Sequence, residues 1–284
     1  MKFEKYDSVA SFADDVLDTL LEDEVQNNLL VSFAKTKSTS TTSWLLATVR
    51  NDDGDIILTA ACTPPFNIVL YETGNIANDA AIKMLSKELK NMGIQLPGVL
   101  ARQDCALRFA AEFAGRSGYY NHMSMNIMRL DEIKTIQKSS GSCRPLREDD
   151  FYFVPYWEHA FSEECNVAVY DINARAEQLK QRLSHDTFFI WEDNHPVSQA
   201  AQGRATEHGA VVNSVYTPPF YRGKGYASSL VSELSRTLLE RGAEFCCLFA
   251  DAANPISCGI YRKIGYYDLC VFDEIKFIKN TSPR

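Results

Sequence analysis

The chain has 284 residues, of which 45% are hydrophobic and 23% are charged, and it carries a formal net charge of −8. This composition is that of a folded globular protein with enough length for two ordinary domains or one large one. The negative charge argues against a nucleic-acid-binding protein, because a phosphate backbone requires a basic face, and it is typical of an acidic surface that keeps a protein in solution.

The sequence also bears on the cellular compartment. The N-terminal stretch MKFEKYDSVASFADDVLDTL has acidic residues inside its apolar pattern, so it lacks the uninterrupted apolar core of a signal peptide. No apolar run approaches the roughly 20 residues that a membrane-spanning helix requires. None of the eight cysteines forms a C-x-x-C pair, and Cys246 and Cys247 lie in an apolar run. We therefore expect a cytoplasmic protein with reduced, buried thiols, no metal site and no membrane partner.

The first half alternates helical and extended patterns. The predicted elements are a helix over 8–30, a hairpin over 44–62 with its turn at the NDDG sequence, a strand over 67–71, a helix from the N-cap Asn78 to Gly93, a strand over 96–101, a helix over 104–118 and a strand over 122–130. Together they predict one mixed α/β domain of about 130 residues.

The polar stretch KTIQKSSGSCRPLREDD predicts a linker, so we expect two domains, 1–135 and 136–284. The second half is predicted to hold helices over 148–165 and 173–184, a hairpin over 187–205, a strand over 209–217, a helix over 224–241, a strand over 245–251, a helix over 255–265 and one or two strands over 267–277. The similar order of elements in the two halves favours an internal duplication.

The stretch YTPPFYRGKGYASSL joins the predicted strand to the long helix. It places Arg222, Gly223, Lys224 and Gly225 directly before the helix. A helix N-terminus exposes unpaired N–H groups, and glycines allow an anion to approach the backbone closely, so the turn could cradle a pyrophosphate. Arg222 and Lys224 would add attraction for a polyanion. An ordinary strand-to-helix turn with an exposed basic pair is the equally simple interpretation of this stretch alone.

Other phosphate-binding motifs fit less well. The dinucleotide fingerprint G-x-G-x-x-G fails because Ser228 stands at the third glycine position, and no G-x-x-x-x-G-K-[ST] sequence is present.

Further motifs in the second half help to decide between a pyrophosphate cradle and an ordinary turn. The order of strand, R-x-x-G-x-A turn (Arg222, Gly225, Ala227), helix, strand, Asn254, Tyr261 and the Gly265-Tyr266 pair resembles the GNAT superfamily of N-acetyltransferases. The resemblance is close over 212–267 and loose over 144–280. The wider chain resembles bacterial acetyltransferases that carry a degenerate GNAT-like N-terminal domain before an active one.

The resemblance implies a fold of tandem GNAT-like domains in the α/β (α+β) class, each with a mixed, mostly antiparallel twisted sheet flanked by helices. It implies acetyl-CoA as co-substrate and direct transfer of the acetyl group to an amine. The implied cofactor-binding residues are Val215, Tyr216, Thr217, Arg222, Gly223, Lys224, Gly225, Tyr226, Ala227, Ser228, Asn254, Ser257 and Tyr261. Tyr261 is also the implied catalytic acid, with a core tyrosine that anchors its helix as the other interpretation.

The general base stays open. The strand before the turn has no carboxylate, and the candidates elsewhere are Glu163, Glu164, Glu207 and His208. In the first half, the sequence after Gly74 lacks the R-x-x-G pattern, so we expect no acetyl-CoA there.

The acceptor is expected to be a small-molecule or peptide amine, and the protein a monomer or homodimer. A CoA-binding sensor or scaffold that has lost acetyl transfer is an alternative, and a nucleotide-binding module is a third.

Overall fold

The computed structural model describes residues 1–36, 43–167 and 171–278, without the side chain of Ala205. The chain divides into two compact units. The first holds residues 1–127 together with the C-terminal segment from residue 269, and the second holds residues 128–268.

Ten elements begin the chain. They are β1 Lys2–Lys5, α1 Val9–Leu21, α2 Glu24–Ala34, β2 Leu45–Arg50, β3 Ile56–Cys62, β4 Ile68–Glu72, α3 Asp79–Asn91, β5 Gly98–Arg102, α4 Gln103–Ala114 and β6 Tyr119–Leu130. Ten more follow. They are β7 Ser142–Pro145, α5 Val154–Glu164, α6 Ile172–Lys180, β8 Phe188–Glu192, β9 Pro196–Ala205, β10 Gly209–Tyr216, α7 Tyr226–Glu240, β11 Phe245–Asp251, α8 Pro255–Ile264 and β12 Tyr267–Phe277.

In the first unit, the strands lie in the order β1-β2-β3-β4-β5-β12. Only the β4–β5 pair among these is parallel. Successive strand residues point to opposite faces of a sheet. Leu45 therefore joins a core with Leu85 and Phe109 of α3 and α4, while its neighbour Leu46 joins a second core with Phe12 and Leu20 of α1.

The second unit repeats this strand order in β7-β8-β9-β10-β11. The first four strands are antiparallel, and β10 pairs with β11 in parallel. Phe189 packs with Leu234 of α7 on one face, and its neighbour Phe188 packs with Val154 and Leu179 of α5 and α6 on the other. The long helix α7 is thereby fixed on one face of the sheet and the helix pair on the opposite face.

The predicted mixed α/β fold with a mostly antiparallel sheet is confirmed. Differences from the sequence prediction include the strand β1, which was not predicted, and three changes in organisation. The helix expected over 8–30 is two helices that are separated at Glu22–Asp23. The expected linker contains β7, in which Cys143 pairs with Trp191 of β8. The two compact units also differ from the predicted domains 1–135 and 136–284. The C-terminal segment returns to the first unit, where Phe272 of β12 pairs with Arg102 of β5.

Within the described residues, no helix is long and apolar enough to cross a membrane.

Candidate functional site

The turn before α7 is shaped by two glycines with left-handed backbones. Gly223 has a φ of +80° and Gly225, the N-cap residue of α7, has a φ of +82°. Such angles favour glycine because a side chain would be strained there. A Cβ at Gly223 would meet no atom within 4 Å, and one at Gly225 would meet only Ser139 Cβ at 3.9 Å. The turn is therefore open to space on its outer side.

The N-terminus of α7 lacks a side-chain cap in the part of the chain that the structure describes. The first backbone bond into the helix runs from Ser229 N to Gly225 O at 3.0 Å. The N–H groups of Tyr226, Ala227 and Ser228 precede it and point out of the helix end, as helix geometry requires. The end therefore presents amide donors and the positive pole of a 15-residue helix.

The strand β10 separates from β11 just before this turn. Their parallel register covers only Gly209–Val211 with Phe245–Cys247. Further along, β10 has a register irregularity against β9 between Asn213 and Tyr216, and Ser214 has a φ of +53°. A bulge with a left-handed residue bends its strand. Val215, Tyr216 and Thr217 consequently lie on the part of β10 and its continuation that has left β11.

Arg222 does not extend into solvent as a free cation. Its Nε donates to the carbonyl of Thr217 at 2.8 Å, and its Nη2 donates to both oxygens of Glu164 at 2.9 and 2.7 Å. Glu164 is the last residue of α5, so this side chain ties the end of α5 to the segment after β10. Within the described residues Lys224 makes no ion pair, and it is the cation of the turn that is free to attract an anion.

Tyr226 faces inward in the first turn of α7. Its ring is buried, and its hydroxyl donates to Asp193 Oδ2 at 2.6 Å. The amide of Tyr226 is thus available to a ligand while its side chain anchors the helix. Ala227 and Ser228 are half-buried beside it.

Asn254 is the N-cap residue of α8. Its Oδ1 accepts from the amide of Ser257 at 3.1 Å. The Asn254 side chain is exposed, and its Nδ2 remains as a donor at the end of the strand-to-helix connection after β11. Capping fixes the amide orientation, so one side chain can both cap the helix and present this donor.

Tyr261 lies two turns into α8 and is 9% exposed. Its ring meets that of Tyr266 edge-on, with centroids 5.9 Å apart. Burial raises the pKa of Tyr261 well above its ordinary value, with smaller contributions in the same direction from the thiols of Cys165 and Cys258. The hydroxyl is protonated at neutral pH, as that of an ordinary tyrosine is, and burial makes it a weaker acid.

The four suggested bases lie in different surroundings. Glu163 is exposed beside His159, and Glu164 is bound to Arg222. Glu207 and His208 precede the first residue of β10, whereas the bulge lies near its far end and the turn follows it. At about 3.3 Å a residue, the length of this strand puts them roughly 25 Å from the turn, so they do not belong to this site.

Sequence reasoning missed a buried carboxylate, that of Glu158 on α5, which is 3% exposed. Its Oε1 accepts from Gln199 Nε2 at 2.6 Å, and its Oε2 accepts from Arg175 Nε at 3.0 Å and Ser214 Oγ at 3.3 Å. The signal was present in the sequence, because Val154, Glu158 and Ser162 recur at intervals of four and all lie on the buried side of α5. Glu158 thereby holds the bulge residue of β10.

The corresponding connection in the first unit, between β4 and α3, is closed by its own side chains. Asn78 caps α3 by accepting from the amide of Ala81 at 3.0 Å, and Glu72 Oε1 accepts from the amide of Asn78 at 2.7 Å. A carboxylate thus stands where an anion would approach this helix.

All eight cysteines are free, and the described residues hold no group of three or more side chains suited to a metal ion.

The chain resembles known proteins over this region. Residues 193–274 match the model of the family described as FR47-like protein. A protein from Yersinia pestis (strain Pestoides F), named an acetyltransferase, is 27% identical over 126 residues, which are 43% of this chain and 85% of that protein. An acetyltransferase from Pectobacterium atrosepticum is 28% identical over the same shares. Residues 193–274 are an acetyltransferase domain of the GNAT superfamily.

Solved structures share the fold across almost the whole chain. A GNAT-family acetyltransferase from Colwellia psychrerythraea has a TM-score of 0.62 at 8% identity, covering 98% of this chain and 99% of its own. A GCN5-related N-acetyltransferase from Sphaerobacter thermophilus has a TM-score of 0.68 at 14% identity, covering 97% and 95%. At these identities the likeness concerns the fold alone. The GNAT domain contains the glycine turn, the separated strands, Asn254 and Tyr261, so the predicted family is confirmed.

Proposed function

We propose that this protein transfers the acetyl group of acetyl-CoA to an amine, and that the GNAT domain binds acetyl-CoA at the N-terminus of α7. The observation that carries the proposal is the uncapped end of α7 behind two glycines whose outer side is open. Amide donors, a helix dipole and Lys224, which makes no ion pair among the described residues, suit a pyrophosphate.

The residues present fit the co-substrate along its length. The pyrophosphate would be held by the amides from Arg222 to Ser228, and the pantetheine arm would lie along Val215, Tyr216 and Thr217, with Asn254 and Ser257 beside it. Because β10 has left β11 here, an extended amide chain can hydrogen-bond to its backbone as an added strand does. Bound acetyl-CoA supplies an activated acetyl thioester, so no nucleophile from the protein is required.

Tyr261 is proposed as the acid that donates its hydroxyl proton to the departing thiolate. A tyrosine carries its proton at neutral pH, as a proton donor must. Burial raises the pKa of Tyr261 further and makes it a weaker acid, so its donation would depend on the position of the hydroxyl beside the departing sulfur. The reaction otherwise depends on alignment of the amine and the thioester.

The first unit is proposed to be a degenerate GNAT-like domain without acetyl-CoA. Its support is the contrast between the two helix ends: α3 is capped by Asn78 with the Glu72 carboxylate beside it, whereas α7 has no side-chain cap among the described residues. A bound anion at α3 would meet that carboxylate.

Isothermal titration with acetyl-CoA, NAD and ATP tests the proposal. We expect wild type to bind acetyl-CoA but neither NAD nor ATP. Gly225→Asp should weaken the binding of acetyl-CoA at least tenfold, since a carboxylate would then repel the pyrophosphate. Gly242→Asp is the matched control. Gly242 ends the same helix at a φ of +101° with open space around it, so it imposes the same kind of strain and charge at the opposite end.

An amine screen completes the test. The proposed enzyme activity is supported if wild type acetylates an amine and Tyr261→Phe turns that amine over more slowly while still binding acetyl-CoA. Tight CoA binding without turnover on any amine would favour a CoA-binding sensor or scaffold. A folded wild type that does not bind acetyl-CoA contradicts the proposal.

A further inference from the structure

The first unit contains a cavity of about 90 Å³ at the carboxyl ends of its parallel strands β4 and β5. The two strands pair at Ile68 with Val99 and at Val69 with Leu100, and they separate beyond these residues, where the cavity lies. A buried water needs about 10–15 Å³ of such space, so the cavity has room for roughly six to nine waters. Clefts at the carboxyl ends of strands are frequent ligand sites, and the lining side chains decide what such a cleft binds.

Gln26 and Arg102 give the cavity a group of hydrogen-bond donors. Gln26 is 4% exposed, and its Nε2 donates to Asn75 Oδ1 at 2.9 Å. A primary amide has two N–H groups, so the second one of Gln26 has no acceptor among the described residues. Arg102 is exposed and forms no ion pair within the described part of the chain.

The thiol of Cys270 shows that these two donors are neighbours. Its Sγ donates to Gln26 Oε1 at 3.7 Å. Burial raises the pKa of Cys270, and the positive charge of Arg102 acts in the opposite direction, which requires the guanidinium group to be near the thiol. The amide and the guanidinium group therefore lie together at one part of the cavity wall.

Glu72 and Asp104 give the cavity an excess of negative charge. Arg108 Nη2 is paired with the buried carboxylate of Glu72, and Arg108 Nε donates to Asp104 Oδ2 at 2.8 Å. The same guanidinium group also contacts Asp79 Oδ1 at 3.2 Å. One positive charge thus serves three negative charges, which leaves this group with a net charge of −2 and with carboxylate lone pairs that can accept further hydrogen bonds.

We propose that this cavity binds a small α-amino acid with an apolar side chain. The carboxylate of the ligand pairs with Arg102 and accepts the second N–H of Gln26, and its ammonium group donates to Glu72 and Asp104. This binding does not depend on acetyl transfer, because all four residues belong to the first unit.

The chemistry of an amino acid matches this lining. Its two opposite charges are attached to one carbon, so they require a cation and carboxylates around one small space. Arginine binds a carboxylate through its planar fork, and hydrogen bonds between charged groups are the strong ones. Leu70, Ala77 and Phe272 complete the wall with apolar surface for the side chain. Alanine, valine and leucine have about as many non-hydrogen atoms as the cavity can hold waters.

Titration calorimetry of the full chain tests the proposal. The probes are alanine, valine and leucine, each beside the amine and the carboxylate that remain when one charged group is removed. For valine these analogues are isobutylamine and isovalerate. We expect at least one of the three amino acids to bind, and each of its two analogues to bind at least tenfold more weakly, because each loses the partners of one charged group.

Two variants of exposed residues assign the site. Arg102→Gln should weaken the amino acid at least tenfold, and Arg102→Lys should weaken it less because the charge remains. Asp104→Asn should weaken it about threefold through the ammonium group. Both side chains are exposed, so these substitutions should leave the fold intact.

Two matched controls lie outside the cavity. Asp79 contacts the same Arg108 as Asp104 does, and their side chains are 73% and 75% exposed, but Asp79 does not line the cavity. Arg116 is an exposed arginine of the same unit. Asp79→Asn and Arg116→Gln should bind the amino acid within about twofold of wild type.

Two results would overturn the proposal. If wild type binds none of the three amino acids, the cavity holds water alone. If it binds one and Arg102→Gln keeps the full affinity, the amino acid occupies another site. The proposed function is tested separately, because acetyl-CoA should bind to all of these variants as it does to wild type, the α7 turn being part of the second unit.

Discussion

Arg222 of the glycine turn and Glu164 at the end of α5 are 58 residues apart in sequence and joined by an ion pair, with Arg222 Nη2 2.9 and 2.7 Å from the two carboxylate oxygens. Both side chains are about half exposed, so the pair contributes little to stability. Its effect is on charge and position. It neutralises the arginine that an acidic ligand would otherwise meet, and with the bond to the Thr217 carbonyl it fixes the segment between β10 and the turn.

Glu164→Gln should therefore raise the affinity for CoA. The substitution removes a negative charge beside the turn and leaves Arg222 attached to Thr217, so we expect roughly threefold tighter binding at low salt and less gain at high salt. Titration calorimetry at two salt concentrations measures this. Glu163→Gln is the control, since its carboxylate lies beside His159 rather than Arg222. Equal affinities for wild type and Glu164→Gln at low salt would contradict the prediction.

Local signals predicted much of this site. The glycines at 223 and 225 allow left-handed backbones before a helix, and both residues adopt them. The N-cap at Asn78 and the strand-to-helix order after β10 and β11 follow from short-range chemistry in the same way.

The rest depends on contacts between residues far apart in sequence. The partner of Arg222, the return of β12 to β5 and the bulge at Ser214 all arise from tertiary packing, which a local pattern does not encode. Glu158 illustrates this limit. Its buried position follows from the helical period, but its partners Arg175, Gln199 and Ser214 come from three other elements.

Glu158→Ala should destabilise the protein by about 3 kcal/mol, because it removes a buried carboxylate and leaves Arg175 and Gln199 without it. Urea unfolding followed by circular dichroism measures the change. Glu163→Ala, on the exposed side of the same helix, should stay within about 0.5 kcal/mol of wild type. If Glu158→Ala lowers the free energy of unfolding by less than about 0.5 kcal/mol, the hydrogen-bond network of Glu158 does not stabilise the fold.

The cysteines should react slowly in the native protein. Burial raises the pKa of Cys62, Cys143, Cys165 and Cys270 to about 11 each and that of Cys246 to about 12. At pH 8 only about 0.1% of a thiol with a pKa near 11 is thiolate, and the thiolate is the nucleophile. In the native protein, iodoacetamide should modify these five residues slowly. In guanidinium chloride it should modify all eight cysteines at the rate of an unfolded peptide, and mass spectrometry measures the labelling. Labelling of any of the five in the native protein at the rate of an unfolded peptide would be the contrary result.

Tyr261 should make stability fall at high pH. Its pKa is raised in the folded state, chiefly by burial, whereas in the unfolded chain it titrates near its ordinary value of about 10. The contribution of the buried Tyr261 hydroxyl to the free energy of unfolding is therefore complete below about pH 10. It is lost as the pH rises further, because the unfolded chain gives up the phenolic proton first.

Tyr261→Phe removes this titration, so comparison with wild type isolates it. The difference in free energy of unfolding between the two proteins should be constant from pH 6 to 8. Between pH 8 and 11 it should shift in favour of the variant by about 1.4 kcal/mol, since the unfolded wild type alone gains from ionisation. Urea unfolding at several pH values measures the shift. If the difference stays constant up to pH 11, the Tyr261 hydroxyl ionises as readily in the folded protein as in the unfolded chain, and the prediction that burial raises its pKa is wrong.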